Sequence, residues 1–292
     1  MKRIVGCLLL FCLLFSAVEL LMAQDQTTPP PKVLVIYREF LKPGKMGSAH
    51  EKTEAAFVSA SMAAKWQEHY VAMDSMSGSP RSLFFFGYDS FEAFEKDQLA
   101  TQKNASYSAA LDHASGADGD LLSSQEATAL LYNDEQSFQS SVPIAKMRYM
   151  EIGRYVVRPG HDKDWAELVK LYRDAYQKAM PDAHWAAYDA VYGQNAGGIH
   201  LIIVPMQSLS EADKNFAGSK KIQAALGDDG LKRAAELEAA CMQESGTNIF
   251  AFNPRMSYVP DSWVQADPGF WKTKTNVAQK KTDSKPAAGA GQ

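Results

Sequence analysis

Two histidines and two aspartates recur at matching places in this sequence and are its clearest candidates for chemistry. The segment HYVAMDSMSG, from His69 to Gly78, is matched by HWAAYDAVYG, from His184 to Gly193. A neutral imidazole at His69 or His184 could act as a general base or bind a metal or haem. A histidine that begins a strand also commonly does no more than bond a backbone carbonyl, so both roles stay open.

Asp74 and Asp189 lie five residues after these histidines. In a regular strand, side chains alternate between the two faces, so each aspartate points away from its histidine and a His-Asp dyad is not expected. Each carboxyl is either a base with a raised pKa or a partner for an arginine or for backbone groups near the strand end. His184, Asp189, His69 and Asp74 are the predicted catalytic residues.

A second set of residues is predicted to bind a ligand. Arg38 and Arg154 recur on the first strand of each repeat, where they either clamp an anionic group or pair with acidic neighbours between the repeats. Four aromatic residues either line an apolar pocket between a helix and the sheet or pack in the core. They are Trp165, Tyr172, Trp185 and Tyr188.

Several motifs that would identify an enzyme class are missing. The sequence has no Gly-rich phosphate loop, no His-Glu-x-x-His, no Cys pair at zinc spacing and no Gly-x-Ser-x-Gly. Phosphoryl transfer, zincin proteolysis and α/β-hydrolase chemistry are therefore disfavoured, and no metal site is predicted. Cys241, on an apolar helix, is expected to be a buried structural thiol.

The elements that carry these residues follow one order in both repeats. Besides the histidine segments, REFLKPG from Arg38 matches RYVVRPG from Arg154, and NDEQSF from Asn133 matches NPRMSY from Asn253. Hydrophobic patterning predicts strand, helix, two strands, helix and strand in each repeat. We expect an α+β fold of two tandem ferredoxin-like (βαββαβ) repeats, residues 33–140 and 145–260, whose antiparallel sheets pack into a pseudo-twofold α+β barrel.

The segment GRYVVRPGHDKDWAEL, from Gly153 to Leu168, and its weaker copy REFLKPGK, from Arg38 to Lys45, resemble the dimeric α+β barrel superfamily, especially its NIPSNAP-like branch. The shared features are an arginine, a nearby aromatic residue and a Pro-Gly turn. The resemblance implies a pseudo-dimer within one chain. It also implies a range of activities that includes small quinone-type monooxygenases, haem-binding and haem-degrading enzymes and lactone isomerases, so it selects no reaction.

The N-terminal segment predicts export, and two further segments are predicted to lie outside the folded repeats. Met1, Lys2 and Arg3 precede an apolar run to Phe15, and a small residue at Ala23 fits signal cleavage, so residues 1–23 are a predicted signal peptide and the protein is secreted or periplasmic. Residues 24–32 are a predicted proline-rich linker. Residues 261–292, rich in Lys, Ala and Gly at their end, are a predicted disordered tail.

Composition limits the possible partners. The formal net charge is −4 over 292 residues, which disfavours nucleic acid as a partner, and no membrane span is expected after signal cleavage. The function predicted first is binding of a small apolar or aromatic ligand in a helix/sheet pocket, with the more aromatic second repeat favoured. The alternatives are a cofactor-independent or haem-handling, monooxygenase-like oxidoreductase and a surface interaction module without ligand. The sequence identifies no cofactor.

Overall fold

The computed structural model describes residues 27–193 and 197–272. These residues form eight β-strands, seven α-helices and one short 3-10 helix. In chain order the elements are β1 (Val33–Leu41), α1 (Ser48–Ala64), β2 (Tyr70–Ser75), β3 (Arg81–Tyr88), α2 (Phe91–Lys103), α3 (Ala105–Gly119), β4 (Leu122–Phe138), the 3-10 helix (Ile144–Lys146), β5 (Tyr149–Val157), α4 (Asp162–Ala179), β6 (Trp185–Gly193), β7 (Ile199–Met206), α5 (Ser210–Cys241), β8 (Met242–Phe252), α6 (Asp261–Ala266) and α7 (Pro268–Trp271).

All eight strands belong to one closed antiparallel barrel in the order β1-β3-β2-β8-β5-β7-β6-β4. The predicted fold class, two tandem ferredoxin-like repeats whose separate sheets pack face to face, is therefore wrong. The reason lies in β4 and β8, which are longer than the sequence pattern indicated. β4 pairs with both β1 and β6, and β8 pairs with both β5 and β2. These ladders hydrogen-bond the edges that two separate sheets would leave open.

Alternation along each strand separates an inner from an outer layer. In β1, Leu34 and Ile36 point into the barrel core, while Val33 and Val35 pack towards the helices. The lumen is filled mainly by aliphatic and aromatic side chains from all eight strands, among them Met73, Phe85, Leu130, Ile152, Tyr188, Leu201 and Phe250.

Two pairs of helices cover the outside of the barrel. Helix α1 packs against α3, and α4 packs against α5. Helix α4 carries the predicted apolar stripe, with Trp165, Leu168 and Val169 buried, whereas the buried residues of α1 include His50 and Glu54. Helix α5 consists of two helical segments that meet at a kink, where Gly227 has a non-helical backbone with a φ of 66°. The two helix layers therefore have different chemical character.

The boundaries of the predicted linker and tail differ from the structure. Thr28 bridges to Val142, and Pro31 accepts a hydrogen bond from Tyr188, so the described part of the linker lies against the barrel. The predicted disordered tail begins at residue 261, but residues 261–272 contain α6 and α7. The predicted signal peptide and residues 273–292 lie outside the described residues. Within residues 27–193 and 197–272, no helix is long and apolar enough to cross a membrane.

Trp271 anchors the terminal helices to the core. Its side chain is 5% exposed, packs near Phe252 and donates from Nε1 to the Ala145 carbonyl at 2.7 Å. Trp271→Ala is expected to cost about 3–5 kcal/mol and to lower Tm by about 10 °C in a thermal melt, because it removes a large buried ring and leaves a cavity. Phe216→Ala, at a side chain that is 78% exposed, is the matched control. A change below 1 °C for Trp271→Ala would show that α7 is dispensable to the core.

Candidate metal centre and aromatic pocket

Four buried side chains of ligand type converge between β1, α1 and α3. His50 Nε2 lies 3.1 Å from Glu39 Oε2, 3.4 Å from Asp118 Oδ1 and 3.8 Å from Glu54 Oε1. One potential ligand atom from each of the four residues lies within 4.8 Å of all the others. We call this group the Glu39 cluster.

The local structure explains the convergence. Glu39 is on the helix-facing side of β1, and His50 and Glu54 lie one turn apart on the same face of α1. Asp118 is in the last turn of α3, the helix that packs against α1. All four residues are at least 94% buried. Three elements that are distant in sequence therefore deliver three carboxyl groups and one imidazole to the same point.

A second layer of polar side chains holds the cluster in place. Gln125 Nε2 donates to Glu39 Oε1 at 2.8 Å, and Thr53 Oγ1 donates to Asp118 Oδ1 at 2.6 Å. The other ring nitrogen of His50, Nδ1, lies 3.3 Å from the Ser82 hydroxyl, which donates to Asp74. Partners of this kind fix the orientation of metal-binding histidines and carboxylates.

Burial and mutual repulsion of the carboxyl groups in the Glu39 cluster oppose ionisation of Glu54. Burial, and then the negative charges of Glu39 and Asp118, raise the pKa of Glu54 to about 10. Glu54 Oε1 is buried and has no hydrogen-bond partner. A buried carboxyl of this kind destabilises the fold unless a cation or a donor compensates it. Burying these four ionisable groups together therefore lowers the stability of the fold unless a bound cation or a proton offsets their charge.

The second repeat shows that the fold does not require the cluster. Glu39 pairs with Ser82 across the sheet, and Tyr155 pairs with His200 in the same register, so Tyr155 occupies the position of Glu39. On the helix, the sequence match aligns His50 with Trp165 and Glu54 with Val169. These counterparts join an apolar cluster completed by residues of α5 such as Leu237. Equivalent space is thus filled mainly by aromatic and aliphatic side chains in one repeat and by four ionisable groups in the other.

The donor set and its spacing fit a divalent cation. Bonds of ~2.0–2.2 Å to nitrogen and oxygen place two ligands of one ion roughly 3–4.4 Å apart, so side-chain shifts of a few tenths of an ångström suffice to seat one. Carboxylates with one imidazole suit Mn²⁺, Fe²⁺ or Zn²⁺. Three carboxylates would also offset the charge of the ion.

An aromatic pocket of about 280 Å³ lies against the cluster, which contributes Glu39 and Glu54 to its lining. Its walls come from the outer face of β1, β2 and β3 and from α1, α2 and α3. The Tyr70 hydroxyl in this wall is buried without a hydrogen-bond partner. Burial, and then Asp97, raise the pKa of Glu68. The aromatic lining consists of Tyr37, Phe57, Trp66, Tyr70, Phe84, Phe86, Tyr88 and Tyr107.

The structure places the two predicted catalytic histidines outside this pocket. His184 Nε2 contacts the Pro205 carbonyl at 2.7 Å, which is the backbone role left open by the sequence. His69 stacks on Tyr258 with ring centroids 4.6 Å apart, and burial lowers the pKa of His69. The catalytic roles of His184 and His69 stay predictions.

The two predicted catalytic aspartates join the repeats. Asp74 accepts from Asn253 and Asp189 accepts from Asn133, both at 2.8 Å, so each aspartate contacts the asparagine of the other repeat's last segment. Asp189 also bonds His200 at 2.6 Å. Burial alone would raise the pKa of Asp189, but the hydrogen bonds from His200 and Asn133 outweigh it and lower that pKa. These contacts join the two repeats, and the Ser82 hydroxyl links Asp74 to His50 of the Glu39 cluster, while the catalytic roles of Asp74 and Asp189 stay predictions.

The predicted ligand-binding residues divide between two layers. Arg38 and Arg154 line a cavity at one end of the lumen. Tyr188 also lies inside the barrel, with its hydroxyl bonded to Pro31. The other three lie outside it, near α4. Trp165 stacks on His200 and donates to Gln136, Trp185 donates to the Gln136 carbonyl, and Tyr172 donates to Glu238, with a pKa raised to about 12 by burial and then by that carboxylate.

None of the four residues of the Glu39 cluster was predicted from the sequence to be a site residue. The available signal was on α1, where His50, Glu54 and Ser61 occupy positions at helical spacing that a core-facing stripe normally fills with apolar residues. Their matched positions in α4 carry aromatic and aliphatic residues. Glu39 was a second signal, since the other residues on its side of β1 include Val33, Val35 and Tyr37. The aromatic pocket beside the cluster involves β3 and three helices, and no local pattern predicts that assembly.

Comparison with known proteins identifies the fold. No protein-family model matches the sequence, and no curated protein matches it. An anthrone oxidase-like protein matches with a TM-score of 0.50 and 13% identity over 76% of this chain and 92% of that chain. A candidate monooxygenase from Fusobacterium nucleatum subsp. nucleatum matches with a TM-score of 0.50 and 10% identity over 77% and 94% of the two chains. A mutant chlorite dismutase from Candidatus Nitrospira defluvii has a lower TM-score of 0.47 at 10% identity, over 77% and 93%.

These neighbours are dimeric α+β barrel proteins, so the chain shares the fold of that superfamily. Identities of 10–13% establish the fold and not the reaction. The chemistry has to be argued from the residues of the site.

Proposed function

We propose that this protein is a metal-dependent oxidoreductase for a small aromatic molecule that carries an oxygen substituent. The observation that carries the proposal is the Glu39 cluster beside the aromatic pocket, at positions where the second repeat has aromatic and aliphatic residues. The names of the structural neighbours, an anthrone oxidase-like protein and a candidate monooxygenase, support oxidation over simple ligand binding.

Each part of the site has a task in this proposal. Aromatic walls hold a flat substrate, and Tyr70, whose buried hydroxyl lacks a partner, donates to the substrate oxygen. Glu68, whose pKa is raised by burial, removes a proton from the activated carbon. The metal held by Glu39, His50, Glu54 and Asp118 would supply Lewis-acid and one-electron chemistry with dioxygen.

The reaction class balances without an external reductant. For a methylene group activated by aromatic rings or a carbonyl, R₂CH₂ and O₂ give R₂C=O and H₂O. Two C–H bonds and the O–O bond break, and the carbon loses four electrons to dioxygen. One oxygen atom becomes the new carbonyl oxygen, and the other leaves as water with the two protons. Glu68 accepts the first of these protons from the carbon.

Two sequence-based alternatives compete with this proposal. The first is a haem-handling enzyme, which the sizes of the described cavities disfavour. At about 330 and 280 Å³, one lies at the lower end of the ~300–1,000 Å³ range of ligand pockets and the other just below it, which suits a small ring system better than a porphyrin. The second is a binding protein without turnover, with its pocket in the second repeat. There, Trp165 and Val169 pack into an apolar core.

Two finer expectations from the sequence are kept as proposals. The Arg-aromatic-Pro-Gly segments at Arg38 and Arg154 support a place near the NIPSNAP-like branch. The charged start, apolar run and small residue at Ala23 support export to the periplasm or outside the cell.

Oxygen uptake tests the proposed reaction. With anthrone as probe, the metal-loaded chain is expected to consume O₂, and Glu68→Gln is expected to lower kcat about 100-fold, because a general base contributes roughly 10²–10⁴-fold to such a step. The matched control is Glu95→Gln, at an exposed carboxylate of α2. Quenching of tryptophan fluorescence measures binding separately. Binding without oxygen uptake in the metal-loaded chain would refute the oxidoreductase and leave a binding protein.

A further inference from the structure

A second cavity, of about 330 Å³, lies at one end of the barrel lumen. Three arginines line it, Arg38 from β1, Arg81 from β3 and Arg154 from β5, together with the carboxylate of Glu126. Asn248 is a further polar residue of the lining, and the remaining side chains are apolar, namely Ile36, Phe40, Leu83, Ile152, Ile199, Leu201 and Phe250. The cavity thus combines a cationic rim with a hydrocarbon interior.

The carboxylates near this cavity do not neutralise the charge of all three arginines. Arg38 lies 3.7 Å from Glu126, beyond hydrogen-bond distance, and donates instead to Thr128 Oγ1. Arg154 bonds Glu244, a residue that is 63% exposed and absent from the cavity lining. Arg81 donates to a backbone carbonyl and sits 4.9 Å from the centre of the Phe250 ring. Three cations therefore face the cavity with a single carboxylate.

Holding these cations together opposes folding in the absence of an anion. Burial lowers the pKa of Arg38, the negative charge of Glu126 offsets part of this effect, and the like charge of Arg154 adds a smaller lowering. Burial, and then Arg38, lower the pKa of Arg81. Desolvation and repulsion of this kind are relieved when a bidentate acceptor such as a carboxylate joins the group.

The repeats show that the third arginine is an addition. Arg38 and Arg154 occupy matching positions on β1 and β5. The counterpart of Arg81 in the strand register is Ile199, and the counterpart of Glu126 is Gly246. The barrel can therefore be built with an aliphatic residue at the Arg81 position, and Arg81 adds a positive charge to this end of the lumen.

We propose that this end of the lumen binds an amphipathic organic anion, a carboxylate with an apolar body of about ten non-hydrogen atoms. The volume equals roughly eleven waters at ~30 Å³ each, which sets that size. The carboxylate head lies among Arg38, Arg81 and Arg154. The apolar body extends among the aliphatic side chains. This site is separate from the aromatic pocket and does not depend on the metal.

Isothermal titration of the purified chain with octanoate, in the presence of EDTA, tests the inference. The wild type is expected to bind octanoate at least tenfold more tightly than n-octanol, which has the same chain without the charge. Arg38→Met and Arg81→Met are each expected to weaken octanoate binding at least tenfold. Arg233→Met, at an exposed arginine of α5, is expected to leave it unchanged.

Thermal melts and the second arginine variant separate loss of binding from loss of folding. Arg38 also bonds Thr128, so thermal melts accompany each variant, and Arg81→Met provides the second test if Arg38→Met fails to fold. Equal affinity for octanoate and octanol would overturn the anion site, as would wild-type affinity in the folded methionine variants. Failure of the wild type to bind octanoate at millimolar concentration would overturn it as well. None of these outcomes bears on oxygen uptake at the Glu39 cluster, because EDTA is present throughout.

Discussion

Removal of the metal is expected to lower the Tm of this protein by about 5–10 °C, and His50→Ala is expected to abolish metal binding. An ion present at 100 times its Kd stabilises the folded state by about 2.7 kcal/mol, and each kcal/mol corresponds to about 2–4 °C for a domain of this size. His50 is the member of the Glu39 cluster whose Nε2 lies within 3.8 Å of all three carboxylates. Its loss removes the only nitrogen ligand in the group.

The measurement combines elemental analysis of the purified chain with thermal melts before and after chelation. Mn²⁺, Fe²⁺ and Zn²⁺ are each added back to the chelated protein. His113→Ala is the matched control, since His113 lies exposed on α3, the helix that carries Asp118. A wild type that holds no metal and shows no change in Tm with any of the three ions would remove the basis of the proposed function. An unchanged metal content in His50→Ala would show that the ion lies elsewhere.

Glu54→Gln is expected to have opposite effects on metal binding and on the stability of the metal-free protein. Glu54 in the unfolded chain ionises near 4.5, whereas its pKa in the folded chain is raised to about 10. Between these pH values the folded protein keeps a proton that the unfolded protein loses, so the free energy of unfolding falls as pH rises. Glutamine removes this dependence. At pH 8 the metal-free variant should gain about 1–4 kcal/mol, and its advantage should disappear below pH 5.

The same substitution removes a ligand oxygen and should weaken metal binding at least tenfold. Thermal melts of chelated protein from pH 5 to pH 9 measure the first effect, and metal titration at pH 8 measures the second. Glu95→Gln, at an exposed carboxylate, should change neither. If Glu54→Gln were less stable than wild type in the absence of metal, the carboxyl would be a structural hydrogen-bonding group and not a ligand held at the expense of stability.

The sequence predicted individual elements better than it predicted how they join. The β-branched and aromatic residues of VLVIYREF and the apolar stripe of α4 are local signals, and a strand and a helix do form there. The closed barrel depends on ladders such as Met73 with Phe252, between residues far apart in the chain. Hydrophobic patterning reports which face of a strand is buried. It does not report which strand lies beside it, so two separate sheets and one closed barrel give the same pattern.

The candidate site was harder to predict for a related reason. The predicted site residues, such as His184 and His69, are ones that match between the repeats. The Glu39 cluster lies where the repeats differ. A matched residue in two diverged copies often serves the shared architecture, as Asp74 and Asp189 do through their bonds to Asn253 and Asn133. Arg38 and Arg154 are the matched residues that do line a cavity, and their role as ligands stays a prediction.

Covalent joining of the two unlike repeats has a consequence for the barrel closed by the β2–β8 and β4–β6 ladders. A barrel assembled from two identical chains would carry the Glu39 cluster twice and would bear its destabilisation twice. In this chain the second repeat retains Tyr155, Trp165 and Val169 at those positions and stays apolar. Two unlike halves in one chain thus let one half act as a stable scaffold while the other carries buried charge, which a symmetric assembly would have to carry twice.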